Sequence, residues 1–244
     1  MRRFVIGDIH GAHKALVQVL KKSKFDRKND LLICLGDVCD GWPFVKDCID
    51  ELMTIENLVY VWGNHDEWAH DWMTRGEVEY IWWSQGGKET YQSFFPEYDV
   101  VTPAMARLHK PDKKYAEFFD KAVVYHVIDD EKSPDTVFVH GGFNRLYRIE
   151  EHTLGYEFTW DRELINSAIA QHIESGPKNI TQHKRVFVGH TALKSETPMK
   201  FCEVWNIDTG AGWNGTLSMM DIDTEEIWSS SKTTKLYKNE SGRR

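Results

Sequence analysis

Phe4-Val5-Ile6-Gly7-Asp8-Ile9-His10-Gly11 is a short apolar run that stops at a glycine and then presents an aspartate and a histidine. Two further stretches are built the same way. Leu31-Leu32-Ile33-Cys34-Leu35 runs into Gly36-Asp37-Val38-Cys39-Asp40-Gly41, and Leu58-Val59-Tyr60-Val61-Trp62 runs into Gly63-Asn64-His65-Asp66. Continuous apolar runs of this length suit strands buried on both faces. Between them, Ala12, Ala15, Leu16, Val19 and Leu20, and then Val45, Cys48, Ile49 and Leu52, fall at helical spacing. Strand, helix, strand, helix, strand predicts two right-handed crossovers and a parallel sheet. Asp8 and Asp37 lie 29 residues apart, and Asp37 and His65 lie 28 apart, about one crossover unit each. These polar groups are therefore expected at the carboxyl ends of neighbouring strands, the edge where open α/β sheets bind ligands.

Working outward, residues from about 66 to 120 are rich in helical and aromatic signals and read as a helical insert on the same domain. Strands are expected at 122–127, 136–140, 185–188, 202–207, 216–222 and 225–228, with a helix over 161–174 that stops at Gly176-Pro177. The reading is a single domain over 1–228, followed by a polar C-terminal tail over 229–244. The tail has no apolar period, so it is expected to fray, with Arg243-Arg244 solvated. The chain is 244 residues long, with 41% hydrophobic and 13% aromatic residues. That excludes a disordered chain. A net charge of −8 argues against general nucleic-acid binding. Four cysteines without a CxxC pair are expected as reduced thiols of a cytoplasmic protein. Arg2-Arg3 precedes too short an apolar run for a signal, and no run is long enough to span a membrane.

Two later strands also end in polar motifs, Val139-His140-Gly141-Gly142 and Val188-Gly189-His190-Thr191. The collected groups are Asp8, Asp37, Asn64, His10, His65, His140 and His190. Carboxylate, amide and imidazole donors suit divalent Mn, Fe or Zn. Seven groups exceed one four-coordinate site, and Asp37, central in the set, can bridge two ions that clamp a phosphoryl group. Any one of these residues alone reads as a turn, a cap or a hydrogen-bonded core residue. Five motifs in order, each closing a strand, point to a metal site instead.

GDIHG, GDxxD, GNHD, the His-Gly strand end and GHT together resemble the calcineurin-like metallophosphoesterases. GDIHG and GHT are most similar to the phosphoprotein phosphatase branch, especially its compact bacterial and bacteriophage-type serine/threonine phosphatases. Trp83–Thr90, Trp160-Asp161-Arg162 and Asn206–Ala211 resemble further motifs of that branch. The resemblance spans roughly residues 3–222 and implies an α/β sandwich, central mixed β-sheets flanked by helices. It implies that Asp8 and His10 bind a first metal, Asp37 bridges, and Asn64, His140 and His190 bind a second, with manganese first in order and iron or zinc possible. His65 would be the general acid, held and charged by Asp40. Asn64 and Arg162 would bind the substrate phosphate. The implied reaction is hydrolysis of phosphate monoesters, including phosphoserine and phosphothreonine in proteins, by direct attack of a hydroxide bridging the metals. The alternatives are a nucleotide-directed hydrolase, either a symmetrical dinucleoside polyphosphatase or a phosphodiesterase, and a catalytically weak protein that binds a phosphorylated ligand. No membrane partner is implied.

The sequence departs from that pattern at two places. Gly41-Trp42 stands where the branch continues Asp-Arg-Gly, so a phosphate-binding arginine is missing, with Arg162, Lys88 or Arg145 as replacements. Asp66 stands where the branch usually has glutamate. Trp42, Trp68, Trp72, Trp82 and Trp83 read mainly as packing for the insert. Trp42 is the best candidate among them for a ligand-stacking wall.

Overall fold

The computed structural model describes residues 1–153 and 155–243. Two five-stranded sheets face each other. The first has the order β10-β9-β1-β2-β3, built from Arg3–Ile6 (β1), Leu31–Cys34 (β2), Asn57–Tyr60 (β3), Ser218–Asp221 (β9) and Ile227–Ser229 (β10). β1, β2 and β3 are parallel as the sequence predicts, in the register Val5–Ile33–Val59, and β9 closes against β1 antiparallel. The second sheet has the order β4-β5-β6-β8-β7: Tyr125–Ile128 (β4), Thr136–Val139 (β5), Arg185–Val188 (β6), Met199–Phe201 (β7) and Val204–Asn206 (β8). β5, β6 and β8 run parallel. The expected single strand over 202–207 is instead a hairpin. Cys202 adopts φ 56°, turns the chain, and β7 pairs antiparallel with β8.

Apolar residues fill both faces of β1 and β2. Val5 and Ile33 point between the sheets with Phe138, Phe187, Ile207 and Met220, while Phe4, Ile6, Leu32 and Cys34 face the helices. That explains the uninterrupted hydrophobic runs. Between the sheets, Phe138 and Phe187 stack with centroids 4.9 Å apart and planes at 3°. His13–Lys22 (α1) buries Ala15, Leu16, Val19 and Leu20, and Val45–Leu52 (α2) buries Val45, Cys48, Ile49 and Leu52, the stripe that each helical period requires.

Between β3 and β4 the chain forms Asn64–Arg75 (α3), Tyr80–Trp82 (α4), Lys88–Phe94 (α5), Pro103–Leu108 (α6) and Lys113–Phe119 (α7). Trp72, Trp82 and Tyr91 are the buried centre of this helical layer, and Trp72 Nε1 donates to Ala106 O at 2.8 Å. Glu157–Trp160 (α8) and Glu163–Ser175 (α9) cover the second sheet. Arg3, 7% exposed, ties the layers together by bonding Asp223 and Asp130, one from each side of the sandwich.

The described part of the C-terminal tail is packed against the domain and not frayed. Ser230, Thr233 and Tyr237 are buried, Thr233–Leu236 forms α10, and Tyr237 stacks on Trp42 (4.7 Å) and Phe44 (5.3 Å). Its polar composition hid this, because the docking is carried by one aromatic and by backbone bonds such as Thr233 N to Gly215 O at 2.9 Å.

Candidate active site

The loops that leave the carboxyl ends of β1, β2, β3, β5 and β6 meet in one seam between the two sheets. Asp8 and His10 follow β1, Asp37 and Asp40 follow β2, and Asn64 and His65 open α3 after β3. His140 follows β5 directly, and His190 stands two residues past β6. All eight side chains are nine-tenths or more buried. His10, Asp37, Asp40 and His190 adopt left-handed backbone, with φ of 48°, 51°, 64° and 63°. Such conformations cost on the order of 1–3 kcal/mol each and cluster at functional sites. Here they curl each loop so that its side chain turns inward. Gly63 is needed for closeness rather than for substrate room, since a Cβ there would fall onto Asp37.

Two ligand sets share one carboxylate. Asp8, His10 and Asp37 offer donor atoms all within 4.8 Å of one another, and so do Asp37, His140 and His190. Asp37 Oδ2 lies 3.7 Å from His10 Nε2 and 3.4 Å from His140 Nε2. Asn64 Oδ1 lies 3.2 Å from His140 Nε2, which adds it to the second set.

The hydrogen-bond pattern tests whether a cation fits. His10 Nδ1 faces Cys39 O at 2.8 Å and His140 Nδ1 faces Leu35 O at 2.7 Å. Each ring thus spends one nitrogen on a carbonyl and turns Nε2 toward Asp37, the arrangement that orients metal-binding imidazoles. His190 Nε2 is buried with no hydrogen-bond partner, and a buried polar atom without one is costly. The charges point the same way. Burial, with Asp208 and Asp37 beside it, pushes Asp8 well up. Burial also raises Asp37, but His140, His65 and His10 overcome it and hold that carboxyl well down. His140 is lowered by burial, yet Asp37 and Asp8 carry it to about 10. Burial and the His140 charge push His190 down to about 2. The buried acids share their charge with a proton on His140 while His10 and His190 stay neutral, and two bound cations would take over that balancing role.

His65 sits beside this centre. Its Nδ1 lies 2.7 Å from Asp40 Oδ2, and its backbone N–H donates to Asp37 Oδ1 at 2.9 Å. Asp40 Oδ1 accepts from Trp82 Nε1 at 3.0 Å and Thr90 Oγ1 at 2.6 Å. The expectation that Asp40 charges the imidazole is not met here. Burial pushes His65 down to about 3 and Asp40 up to about 8, because a low-dielectric pocket penalises both charges more than their pairing returns.

Four residues act at the site in ways that the sequence reading did not assign. Asp66 accepts from the N–H groups of Asp37 (2.7 Å), Val38 (3.0 Å), Cys39 (3.2 Å) and Gly63 (3.2 Å) and from Tyr60 Oη (2.8 Å). It thereby locks the second loop to the third. Burial and the Asp37 charge push it up to about 7 against those donors. Asp208, after β8, is buried beside Asp8 and pushed up to about 6 by burial. Thr90 and Trp82 hold Asp40 from the insert. Asn206–Ala211 and Trp83–Thr90 carried Asp208 and Thr90 as motif letters without a stated task, and nothing in the sequence marks Trp82 apart from its neighbours.

Arg162 is exposed at the rim, its Nη1 donating to His190 O at 3.1 Å and Thr191 Oγ1 at 3.2 Å. Lys88 is exposed at the start of α5, and Arg145 lines a separate hollow with Phe143, Asn144 and Asp161. Trp42 is 1% exposed and donates from Nε1 to Ala211 O at 2.8 Å. It is a packing residue and not a stacking wall. Arg243, expected in solvent, reaches the centre, with Nη1 3.2 Å from His10 Nε2. Arg244 lies outside the described residues.

The model of the calcineurin-like phosphoesterase family matches residues 1–209. The chain belongs to this family. It is a metal-dependent phosphoric ester hydrolase by that membership, and the two sets sharing Asp37 agree with the family's dinuclear metal dependence. The phosphoesterase is 27% identical over 220 residues to serine/threonine-protein phosphatase 1 of Salmonella typhimurium, covering 90% of this chain and 91% of that one. It is 24% identical over 233 residues to an asymmetrical bis(5'-nucleosyl)-tetraphosphatase of Anoxybacillus flavithermus, covering 88% of each. Among solved structures, a metallophosphoesterase from Sphaerobacter thermophilus shares the fold at a TM-score of 0.53 and 14% identity, covering 95% of this chain and 88% of that chain. A cold-active protein-tyrosine phosphatase of a Shewanella species does so at 0.57 and 15%, covering 94% and 80%.

Proposed function

We propose that the phosphoesterase hydrolyses alkyl phosphate monoesters, phosphoserine and phosphothreonine in proteins among them. Asp8, His10 and Asp37 would hold one cation and Asp37, Asn64, His140 and His190 a second, manganese first among the metals these donors suit. Such cations supply Lewis-acid polarisation of phosphoryl oxygens and an acidified water. Arg162, braced on His190 O and Thr191, would grip phosphoryl oxygens, and Asn64 would share that task. His65 would protonate the leaving oxygen with its Nε2–H while its Nδ1 takes up the proton that the buried Asp40 carboxyl, pushed up to about 8, holds.

The observation that carries the reading is the buried His65–Asp40 pair, backed by Thr90 and Trp82. An alkyl oxygen is a poor leaving group without a proton, whereas a nucleoside polyphosphate leaves as a stable anion. A dedicated general acid, worth roughly 10²–10⁴-fold, therefore favours alkyl esters. It also argues against a pure phospho-ligand binder, which has no use for an acid. The nucleotide reading has one observation of its own. Half-buried Trp68 lies 5.2 Å from both the His65 ring and Trp160, forming an aromatic edge where a base could stack.

The test compares a phosphoserine peptide, p-nitrophenyl phosphate, its diester and a dinucleoside tetraphosphate, with wild type and His65→Ala. Turnover of the peptide, lost by more than tenfold further than that of the nitrophenyl monoester in the variant, is the expected result. Dominant turnover of the tetraphosphate, insensitive to His65, transfers the conclusion to the nucleotide reading. Four buried free cysteines support a reducing compartment, and the cytoplasm is proposed on that ground. Among the described residues no helix is long and apolar enough to cross a membrane.

A further inference from the structure

Among the described residues of the C-terminal tail, Arg243 is the charged side chain that enters the candidate active site, and the path it takes is built for it. Gly41 has φ +125°, and a Cβ there would stand 3.2 Å from Arg243 Cγ and 3.0 Å from His10 O. A Cβ on Gly212 would stand 3.1 Å from Arg243 Cδ. An L-residue at 41 would be strained by its backbone and would crowd this slot. The arginine at this point of the related phosphatase pattern is therefore excluded by conformation and by occupancy.

The approach of the tail is fixed at several points. Tyr237 stacks on Trp42 and Phe44, and its hydroxyl accepts from Lys14 N at 2.6 Å. Arg243 N donates to Gly212 O at 2.8 Å. The guanidinium lies over the Trp213 ring, 4.9 Å from its centroid, while Nη2 reaches Gln85 Oε1 at 3.4 Å and Nη1 faces His10 Nε2 at 3.2 Å. Trp42 and Gly41 thus have complementary tasks. The tryptophan docks the tail, and the glycine leaves the groove through which the arginine passes.

We propose that Arg243 is a substrate phosphate-binding residue, a cation delivered from the chain end in place of the one absent after Asp40. The inference rests on the phosphoester reading above and adds to it a preference for dianionic monoesters. Nη1 presently uses the His10 lone pair. Once that lone pair is committed to a cation, the N–H has no protein acceptor and faces the centre where a phosphoryl oxygen would lie. A planar fork held on an aromatic face is suited to two such oxygens at once. Arg162 on the His190 side and Arg243 on the His10 side then bracket the ligand from opposite ends of the cluster.

The test uses the full chain loaded with Mn²⁺, comparing wild type with Arg243→Ala, Arg243→Gln and Arg243→Lys. Calorimetry gives the Kd of inorganic phosphate and of Mn²⁺, and steady-state assays give kcat and KM on a phosphoserine peptide and on bis(p-nitrophenyl) phosphate. The expected result for Ala and Gln is a phosphate Kd and a monoester KM raised by about 10- to 100-fold, the effect of losing a charge-assisted bond. The diester KM moves less, the Kd of Mn²⁺ is not weakened, and Lys restores part of the loss. Thermal unfolding stays close to wild type, since Tyr237 anchors the tail. An unchanged phosphate Kd in both Ala and Gln overturns the proposal, as does tighter phosphate binding with raised kcat, the signature of a plug. The two readings fail separately. Phosphate affinity that depends on Arg243 in a protein without monoester turnover sinks the hydrolase assignment alone. Monoester turnover with phosphate affinity indifferent to residue 243 sinks this inference alone.

Discussion

Replacing Thr90 by valine removes one oxygen and keeps the outline of the side chain. That oxygen donates to Asp40 Oδ1 at 2.6 Å and accepts from Asp40 N at 2.9 Å, with both residues fully buried. The variant strands a buried N–H, worth about 1–3 kcal/mol, and deletes a bond to a carboxylate worth about 1.5–3 kcal/mol. Partial relaxation leaves an expected loss of roughly 3–5 kcal/mol. In a chain of this size each kcal/mol lowers Tm by about 2–4 °C, so the drop should fall between roughly 6 and 20 °C. Function should suffer through His65. The Thr90 hydroxyl holds the Asp40 carboxyl down against burial and fixes its position, so its removal loosens the group that orients the imidazole. The kcat on an alkyl monoester should fall by about 10- to 100-fold, part of what a general acid contributes, while KM and Mn²⁺ affinity stay near wild type. Thr90→Ser keeps the hydroxyl and should recover most of kcat. Calorimetric Tm and kcat on a phosphoserine peptide decide it. A Tm within about 2 °C of wild type together with unchanged kcat would show that Asp40 does not need Thr90, and the argument for a braced dyad would fail.

Asp66→Glu places the residue usual in the related phosphatase branch into a site that is 0% exposed. The extra methylene should cost about 1–3 kcal/mol by overpacking, and Asp66→Asn, which leaves five donors to one oxygen, should also weaken Mn²⁺ binding by about 10- to 100-fold; denaturant titration and calorimetry read the two effects. Removing metal with a chelator should lower Tm, because buried Asp8 and Asp37 lose their balancing charges; at a metal concentration near 100 times Kd the loss is about 2.7 kcal/mol, visible in a thermal melt with and without EDTA. Arg3 holds the Asp223 carboxyl below its ordinary range. Its contribution to stability is therefore present above the unfolded value of about 3.9 and is lost as pH falls through the lower folded value. Asp223→Asn should lower Tm at pH 7, and its difference from wild type should shrink toward pH 3 in a series of melts.

How much of this was legible in the sequence differs from element to element. β1, β2 and β3 were readable because both faces of each strand are buried, which writes an unbroken apolar run. The polar residues after them were readable because crossover length sets their spacing. The hairpin at Cys202 was not, since the turn is Cys202-Glu203 and the left-handed φ of Cys202 is carried by no glycine or asparagine. The two ligand sets could be anticipated as a group, but the partners that hold them could not. Asp66 binds four backbone N–H groups, and backbone donors leave no letter in a sequence. Thr90 acts on Asp40 across 50 residues, a contact that follows only from how the insert packs. The tail was misread for the same reason. Its polar letters describe its surface, while one tyrosine and the carbonyls of 212 and 215 decide where it lies.

The missing arginine after Asp40 and the buried tail are two sides of one arrangement. Gly41-Trp42 taken alone removes a cation and adds an aromatic, which suggests a shift toward diesters or stacked bases. Yet Trp42 is 1% exposed and turned toward Tyr237 and Ala211, so it offers no face to a ligand. What the pair creates is a docking point for the tail and a slot beside His10. Charge at the centre is then conserved while its covalent origin moves some 200 residues along the chain, from position 41 to Arg243. The consequence is physical. A cation on the loop after β2 is held by the same short segment that carries Asp37 and Asp40. A cation on a strap is held by Tyr237, Trp213 and the Gly212 carbonyl, and these contacts can be loosened without touching a metal ligand. Substrate affinity and metal affinity are therefore separable by substitution in this chain, which they would not be if the arginine stood beside Asp40.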